Sequence, residues 1–362
     1  MNKKQFLLSA LAVCITAIAI YLVFRPADSS VTQQKSTSIQ RSEITSVAEN
    51  LDTPWAIATL PDGRILITER AGIITILGPN GVKIAVADVV ERGEGGLLGL
   101  TLHPDFETNS QLYIYKTTGQ NNIVERYKLE GSQLVEQQVI VGDIPAANVH
   151  NGGEIEFGPE GKLYITTGDA ATESQAQDKN SLAGKILRVN DDGSVPADNP
   201  FETKVWSYGH RNPQGLAWDD QQRLWSTEHG PSGLQSGFDE LNLIQKGGNY
   251  GWPIVRGNEQ REGLIAPKVQ SGNRETWAPA GLTYARGSLY FTGLRGKSLY
   301  QAKITGEEVR LTSHFAGEYG RLRAVVVNGQ DLLISTSNRD GRGTPSAKDD
   351  QILRVPLKII AY

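Results

Sequence analysis

Six copies of one hairpin pattern run through the body of this chain: an apolar strand, a turn built from Pro, Asp and Gly, then a second β-rich strand. They read PWAIATLPDGRILITE from Pro54, GLTLHPDFETNSQLYIYKT from Gly99, GEIEFGPEGKLYITTGD from Gly153, QGLAWDDQQRLWSTEHG from Gln214, AGLTYARGSLYFTG from Ala280 and RAVVVNGQDLLISTS from Arg323. Further strand-like pieces lie between them, among them Ile73–Leu77, Val124–Leu129, Lys185–Val189, Glu240–Ile244, Ser298–Ile304 and Gln351–Pro356. Apolar residues alternate in these stretches rather than recurring every three or four positions, which argues for strands. The repeat length suits four-stranded blades with variable loops, so the expected fold is an all-β, six-bladed propeller spanning 46–362. The 39 glycines among 362 residues fit such a turn-rich architecture. A sandwich pair or a solenoid accounts less well for the irregular period.

Two segments precede the propeller. Residues 1–25 carry Lys3 and Lys4 ahead of an uncharged apolar run from Phe6 to Phe24. That run is close to the roughly 20 residues that span a bilayer, and no small-x-small cleavage site follows it. An uncleaved signal anchor is favoured over a cleaved signal peptide. Its basic end stays cytoplasmic, placing the body in the periplasm or on the outer side of the membrane, or secreted if the segment is cleaved. Cys14, the single cysteine, lies in this run, and Val13 before it is too bulky for a usual lipobox. The body therefore has no intrachain disulfide. Residues 26–45, rich in Ser, Thr and Gln, read as a flexible linker. A net charge of −4 without a basic block in the body excludes nucleic acid as a partner.

Propellers build sites where loops converge around the central channel, and unusual polar residues recur here at one position of the repeat. Glu94, His150, Arg211 with Asn212, Thr276, and Arg321 with Arg323 all lead into hairpins. A ring holding Arg211, Arg321, Arg323 and Arg295 calls for an anionic ligand with several carboxylates, which guanidinium forks match. No GxGxxG after a strand and no Walker motif supports a nucleotide cofactor. His150 is the best general base, and Asp169 after the outgoing strand of its hairpin could orient the imidazole. His103 and His229 sit in HPD and EHG turns, where loop capping is at least as good a reading. The densest polar stretch is Trp206–Pro253. There Asp239, Glu240, the Gly230 and Pro231 carbonyls and Tyr250 offer oxygen ligands suited to calcium, with loop capping by the two acids an equal alternative. No His/Cys spacing suggests zinc.

The motifs GHRNPQGLAW, EHGP, DELNLIQKGGNYGWP, EGGLLGLTLHPDF and GRLRAVVV resemble those of the soluble aldose sugar dehydrogenases, quinoproteins dependent on pyrroloquinoline quinone (PQQ). The resemblance runs from about Val47 to Pro356. It implies a propeller that holds PQQ and Ca2+ over its channel and oxidises aldose sugars at C1 to lactones, passing electrons to a quinone, cytochrome or other acceptor. It implies His150 as the base, Arg211 as the cation facing the reduced quinone oxygen, and Gln214, Asn212, Thr276, Arg321 and Arg323 as cofactor contacts. Gly230 and Pro231 would ligate the calcium beside PQQ, and Glu240 with Tyr250 a second, structural calcium. Three positions depart from the pattern. Arg295 replaces a cofactor-binding lysine. Glu94 replaces a glutamine, and its carboxylate would repel PQQ unless an arginine neutralises it. Val149 replaces a sugar-contacting aspartate, which suggests a shallow pocket and broad aldose specificity. Two other readings stay open: a non-catalytic ligand-binding ectodomain, and a calcium-dependent lactonase, which would need several side-chain carboxylates near the axis.

Overall fold

The computed structural model describes residues 32–33, 43–79, 81–233 and 236–360. The apolar run and most of the 26–45 segment lie outside these residues. Among the described residues no helix is long and apolar enough to cross a membrane.

Six sheets form the molecule, each carrying four antiparallel strands in spatial sequence, and together they make a six-bladed β-propeller. From the inside outward, blade 1 comprises Pro54–Thr59, Ile65–Glu69, Ile73–Leu77 and Val82–Ala85. Blades 2 to 5 repeat this order, with innermost strands Leu97–Leu102, Ile155–Phe157, Pro213–Trp218 and Pro279–Ala285. Blade 6 begins with Leu322–Asn328 and takes its outermost strand, Thr45–Ala48, from the other end of the chain, pairing it with Ile352–Pro356. That exchange closes the ring. Thr32–Gln33 adds a short parallel pair to the outer edge of blade 5.

The ring closes tightly because the sequence supplies a hydroxyl at one repeated place. Thr68, Thr227, Thr292 and Ser335 sit near the end of the second strand of their blades and are buried. Each donates to a carbonyl on the innermost strand of the next blade: Thr68 to Leu98 at 2.6 Å, Thr227 to Ala280 at 2.6 Å, Thr292 to Arg323, and Ser335 to Pro54 at 3.4 Å. The same oxygens of Thr68 and Ser335 accept the N–H of Ala56 and Ala324, freed where the inner strand bulges. A bulge leaves a ladder group unpaired, and a buried unpaired amide is costly, so one hydroxyl both satisfies the bulge and locks two blades. Glycine permits the approach: a Cβ on Gly99 would stand 2.2 Å from the Gly153 carbonyl oxygen. Second strands such as Leu163–Thr167 are buried along their whole length, so they read as runs rather than as alternation.

Candidate functional site

The loops that lead into the innermost strands of blades 2 to 6 meet at one end of the ring. They border an open cleft of about 370 Å³. Glu94, His150, Arg211, Asn212, Gly230, Pro231, Asp239, Thr276, Arg295 and Arg321 line it, together with Val149, His229 and Arg342. Gln214 and Arg323 lie buried beside this ring, joined by an Arg323 Nη1 to Gln214 Oε1 hydrogen bond of 3.2 Å.

His150 adopts a left-handed backbone, φ +57, which is uncommon for a residue with a Cβ. The neighbours over-determine it. Its carbonyl accepts Ala170 N at 3.2 Å, and Gly168 lies so close beneath that a Cβ there would stand 1.9 Å from that oxygen. Its Nδ1 lies 2.7 Å from Oδ1 of Asp169, a carboxylate with no solvent exposure. The same Oδ1 accepts Ala171 N at 2.8 Å, and Oδ2 accepts Trp252 Nε1 at 2.8 Å. A carboxylate accepts hydrogens, so Nδ1 carries the proton and the Nε2 lone pair is left for other chemistry.

Five arginines surround the cleft, and they divide by partner. Arg321 pairs with the buried Asp340 at 2.7 Å, and Arg342 pairs with Glu94 at 2.9 Å. Arg211, Arg295 and Arg323 have no carboxylate within ion-pair distance among the described residues. Burial pushes Arg211 down, and it pushes Arg323 down to about 10. Arg211 reaches only His229 O at 3.4 Å and Ser232 Oγ at 3.3 Å, and its guanidinium lies 5.5 Å from the Trp252 ring. Arg323 Nε and His229 Nε2 are buried without a hydrogen-bond partner. Burial, with Arg211 and Arg323 nearby, holds His229 down at about 3, so its ring is neutral. Buried nitrogens without hydrogen-bond partners, beside arginines without carboxylate partners, suit a polyanionic ligand.

Asp239 borders the cleft, yet both its oxygens are engaged. Oδ1 accepts Gly230 N at 2.9 Å, and Oδ2 accepts Trp277 N at 2.6 Å and Ala278 N at 3.0 Å. It therefore fixes the Gly230–Pro231 turn against the strand entering blade 5. Glu240 and Tyr250 line a smaller adjoining cavity with Glu228, Gly230 and Pro231. Burial, then the neighbouring Glu228, push Glu240 well above the usual carboxylate range. The Tyr250 hydroxyl is already placed, donating to Leu243 O at 2.7 Å and accepting Gln245 N at 2.8 Å. Among the described residues no group of three or more His, Cys, Asp or Glu is arranged to hold a metal.

The other histidines are structural. His210 bridges Glu228 at 2.8 Å and Ser207 at 2.8 Å beneath the floor. His103 Nδ1 accepts Asp105 N at 3.0 Å in its turn, and His314 meets Gln301 at 3.1 Å. Sequence reasoning missed Trp252, Arg342 and Asp340. Trp252 stands in the GGNYGWP motif and could have been flagged; the two loop residues carry no local signal.

Comparison with known proteins identifies a family. A family model described as glucose/sorbosone dehydrogenase matches residues 51–353. The aldose sugar dehydrogenase YliI of Escherichia coli is 35% identical over 335 residues, covering 81% of this chain and 89% of that one. Quinoprotein glucose dehydrogenase B of Acinetobacter calcoaceticus is 33% identical over 307 residues, 73% of this chain and 63% of that one. Among solved structures, the PQQ-bound aldose sugar dehydrogenase of Streptomyces coelicolor superposes with a TM-score of 0.80 at 40% identity, over 87% of this chain and 98% of that one.

Proposed function

The chain belongs to the glucose/sorbosone dehydrogenase family, and from that premise we propose that it oxidises aldose sugars at C1 with PQQ and calcium bound in the cleft. The observation that carries this reading is the His150–Asp169 pair facing a cleft whose Arg211, Arg295 and Arg323 lack carboxylate partners. PQQ has three carboxylates, which matches three uncompensated guanidiniums. Arg211, Arg295, Arg321 and Arg323 with Thr276 would hold it, and bound there it supplies a two-electron acceptor. Calcium fits the donor set as well: the Gly230 and Pro231 carbonyls are hard oxygen donors. With the Tyr250 hydroxyl held by Leu243 O and Gln245 N, that residue would offer its main-chain carbonyl to a second ion beside Glu240.

His150 takes the proton of the C1 hydroxyl at Nε2, and the Asp169 carboxylate stabilises the imidazolium that results. Arg211 supplies fixed positive charge where negative charge develops, already desolvated and so effective. Val149 gives the sugar an apolar neighbour in place of a directional acceptor, consistent with broad aldose acceptance. The electrons leave to an external acceptor, and the Lys3–Phe24 pattern supports a reading in which this chemistry runs at the outer side of the membrane. The test is reconstitution of purified chain with PQQ and calcium, followed by dye reduction across a panel of aldoses. Aldose-dependent reduction only with PQQ present is the expected result; reduction indifferent to PQQ overturns the reading.

A further inference from the structure

Glu94 and Arg342 lie 248 positions apart in sequence and meet over the cleft. Arg342 Nη1 donates to Glu94 Oε1 at 2.9 Å, while Glu94 Oε2 accepts the main-chain N–H of His150 at 3.0 Å. Glu94 N in turn donates to Asn148 O at 2.8 Å, and a Cβ on Gly93 would stand 2.1 Å from that same carbonyl oxygen. The loop entering blade 2 is thus pressed against the loop that carries the base.

We propose that Glu94 is a positioning residue for His150, and that Arg342 is the residue that lets a carboxylate serve there beside an anionic cofactor. This inference rests on the PQQ reading above. The left-handed backbone of His150 is sterically unfavourable, so it needs holding at its N–H as well as at its carbonyl and ring. Glutamate offers a stronger acceptor to that N–H than an amide does, because a charged acceptor makes the shorter and stronger bond. Its cost is a negative charge on the wall of a cleft built for carboxylates. Arg342 cancels that charge through the second oxygen. Burial opposes ionisation of Glu94, while the His150 N–H and Arg342 favour it, and the carboxyl is held below the usual carboxylate range. The division of labour is specific: one oxygen holds the base, and the other is neutralised from blade 6.

Two measurements separate these parts. Hydrogen exchange of the cofactor-free chain over residues 147–151 reads the hold on His150 without any cofactor. Glu94→Leu, which has no acceptor, raises exchange at the His150 amide about tenfold or more, the scale of one lost charge-assisted bond; Glu94→Gln restores most of the protection. PQQ titration by tryptophan fluorescence reads the charge. Arg342→Gln weakens binding about tenfold by leaving the carboxylate bare, and the added Glu94→Gln substitution recovers it. Unchanged exchange in Glu94→Leu overturns the positioning role. Unchanged PQQ affinity in Arg342→Gln, or no recovery in the double variant, overturns the role of Arg342. A chain that binds no PQQ at all fails the functional reading instead, while the exchange result still decides the hold on His150.

Discussion

Oδ1 of Asp169 lies 2.7 Å from Nδ1 of His150, and its Oδ2 accepts the indole N–H of Trp252 at 2.8 Å. One fully buried carboxylate therefore sets the tautomer of the base and fixes the aromatic ring that lies against Arg211. Asp169→Asn keeps the size but can present an N–H to Nδ1, favouring the wrong tautomer. Turnover should fall on the order of 10²–10⁴-fold, as when a triad aspartate is replaced by its amide. PQQ affinity, measured by fluorescence titration, should move less than about tenfold. Equal losses in both would mean that Asp169 only supports the fold.

Arg323 is buried, its Nε has no partner, and its nearest polar contact is the neutral Gln214. A buried cation without a counter-ion is destabilising until its ligand arrives. Arg323→Met should therefore raise the stability of the cofactor-free chain by about 1–3 kcal/mol while weakening PQQ binding at least tenfold. Chemical denaturation and a PQQ titration on the same preparation test both signs. A variant less stable than the parent in the cofactor-free form would show that the guanidinium is already compensated.

Glu240 makes the same argument with opposite charge. It sits against Glu228 with its carboxyl pushed well above the ordinary range, so a cation at this place relieves strain between the two acids. Calcium well above its dissociation constant should raise the melting temperature of the parent by a few degrees, about 2.7 kcal/mol of stabilisation at a hundredfold excess. Glu240→Gln should melt higher than the parent in chelator and gain less than half as much from calcium. Identical calcium responses would remove Glu240 from the ion's ligands.

The hairpins were legible because their short β-rich apolar strands and turn residues are local. Strands expected at Ile73–Leu77 and Lys185–Val189 are found with those bounds, and that at Glu240–Ile244 ends one residue earlier. The outermost strands were harder, since Val269–Gln270 is too short to alternate and Thr45–Ala48 takes its meaning from a partner at the far end of the chain. At the site, the recurrence of unusual polar residues before five of the six hairpins pointed to one cleft. What sequence could not show was how each charge is used. Asp239 reads by composition equally as a calcium ligand or a loop cap, and it accepts three main-chain N–H groups. Glu94 looks like an electrostatic error until Arg342 is brought across the cleft from blade 6.

Glu154 stands just before the innermost strand of blade 3 and Glu156 within it, two residues apart, and the charge of Glu156 acts on Glu154. Burial pushes Glu156 up to about 7, only partly offset by the Thr101 hydroxyl, and burial with Glu156 as neighbour pushes Glu154 well above its ordinary range. A folded-state value above the unfolded one, 4.5, means the folded chain holds the extra proton between the two. Stability is then fully present below about 4.5 and is lost as pH rises through about 7. Glu156→Gln carries a permanently neutral group, so it should escape that loss. Its melting temperature should exceed the parent's by a few degrees at pH 8, and the gap should shrink towards pH 5. A constant gap across that range would show that Glu156 does not carry the titration, and Glu154→Gln measured beside it would identify which of the two does.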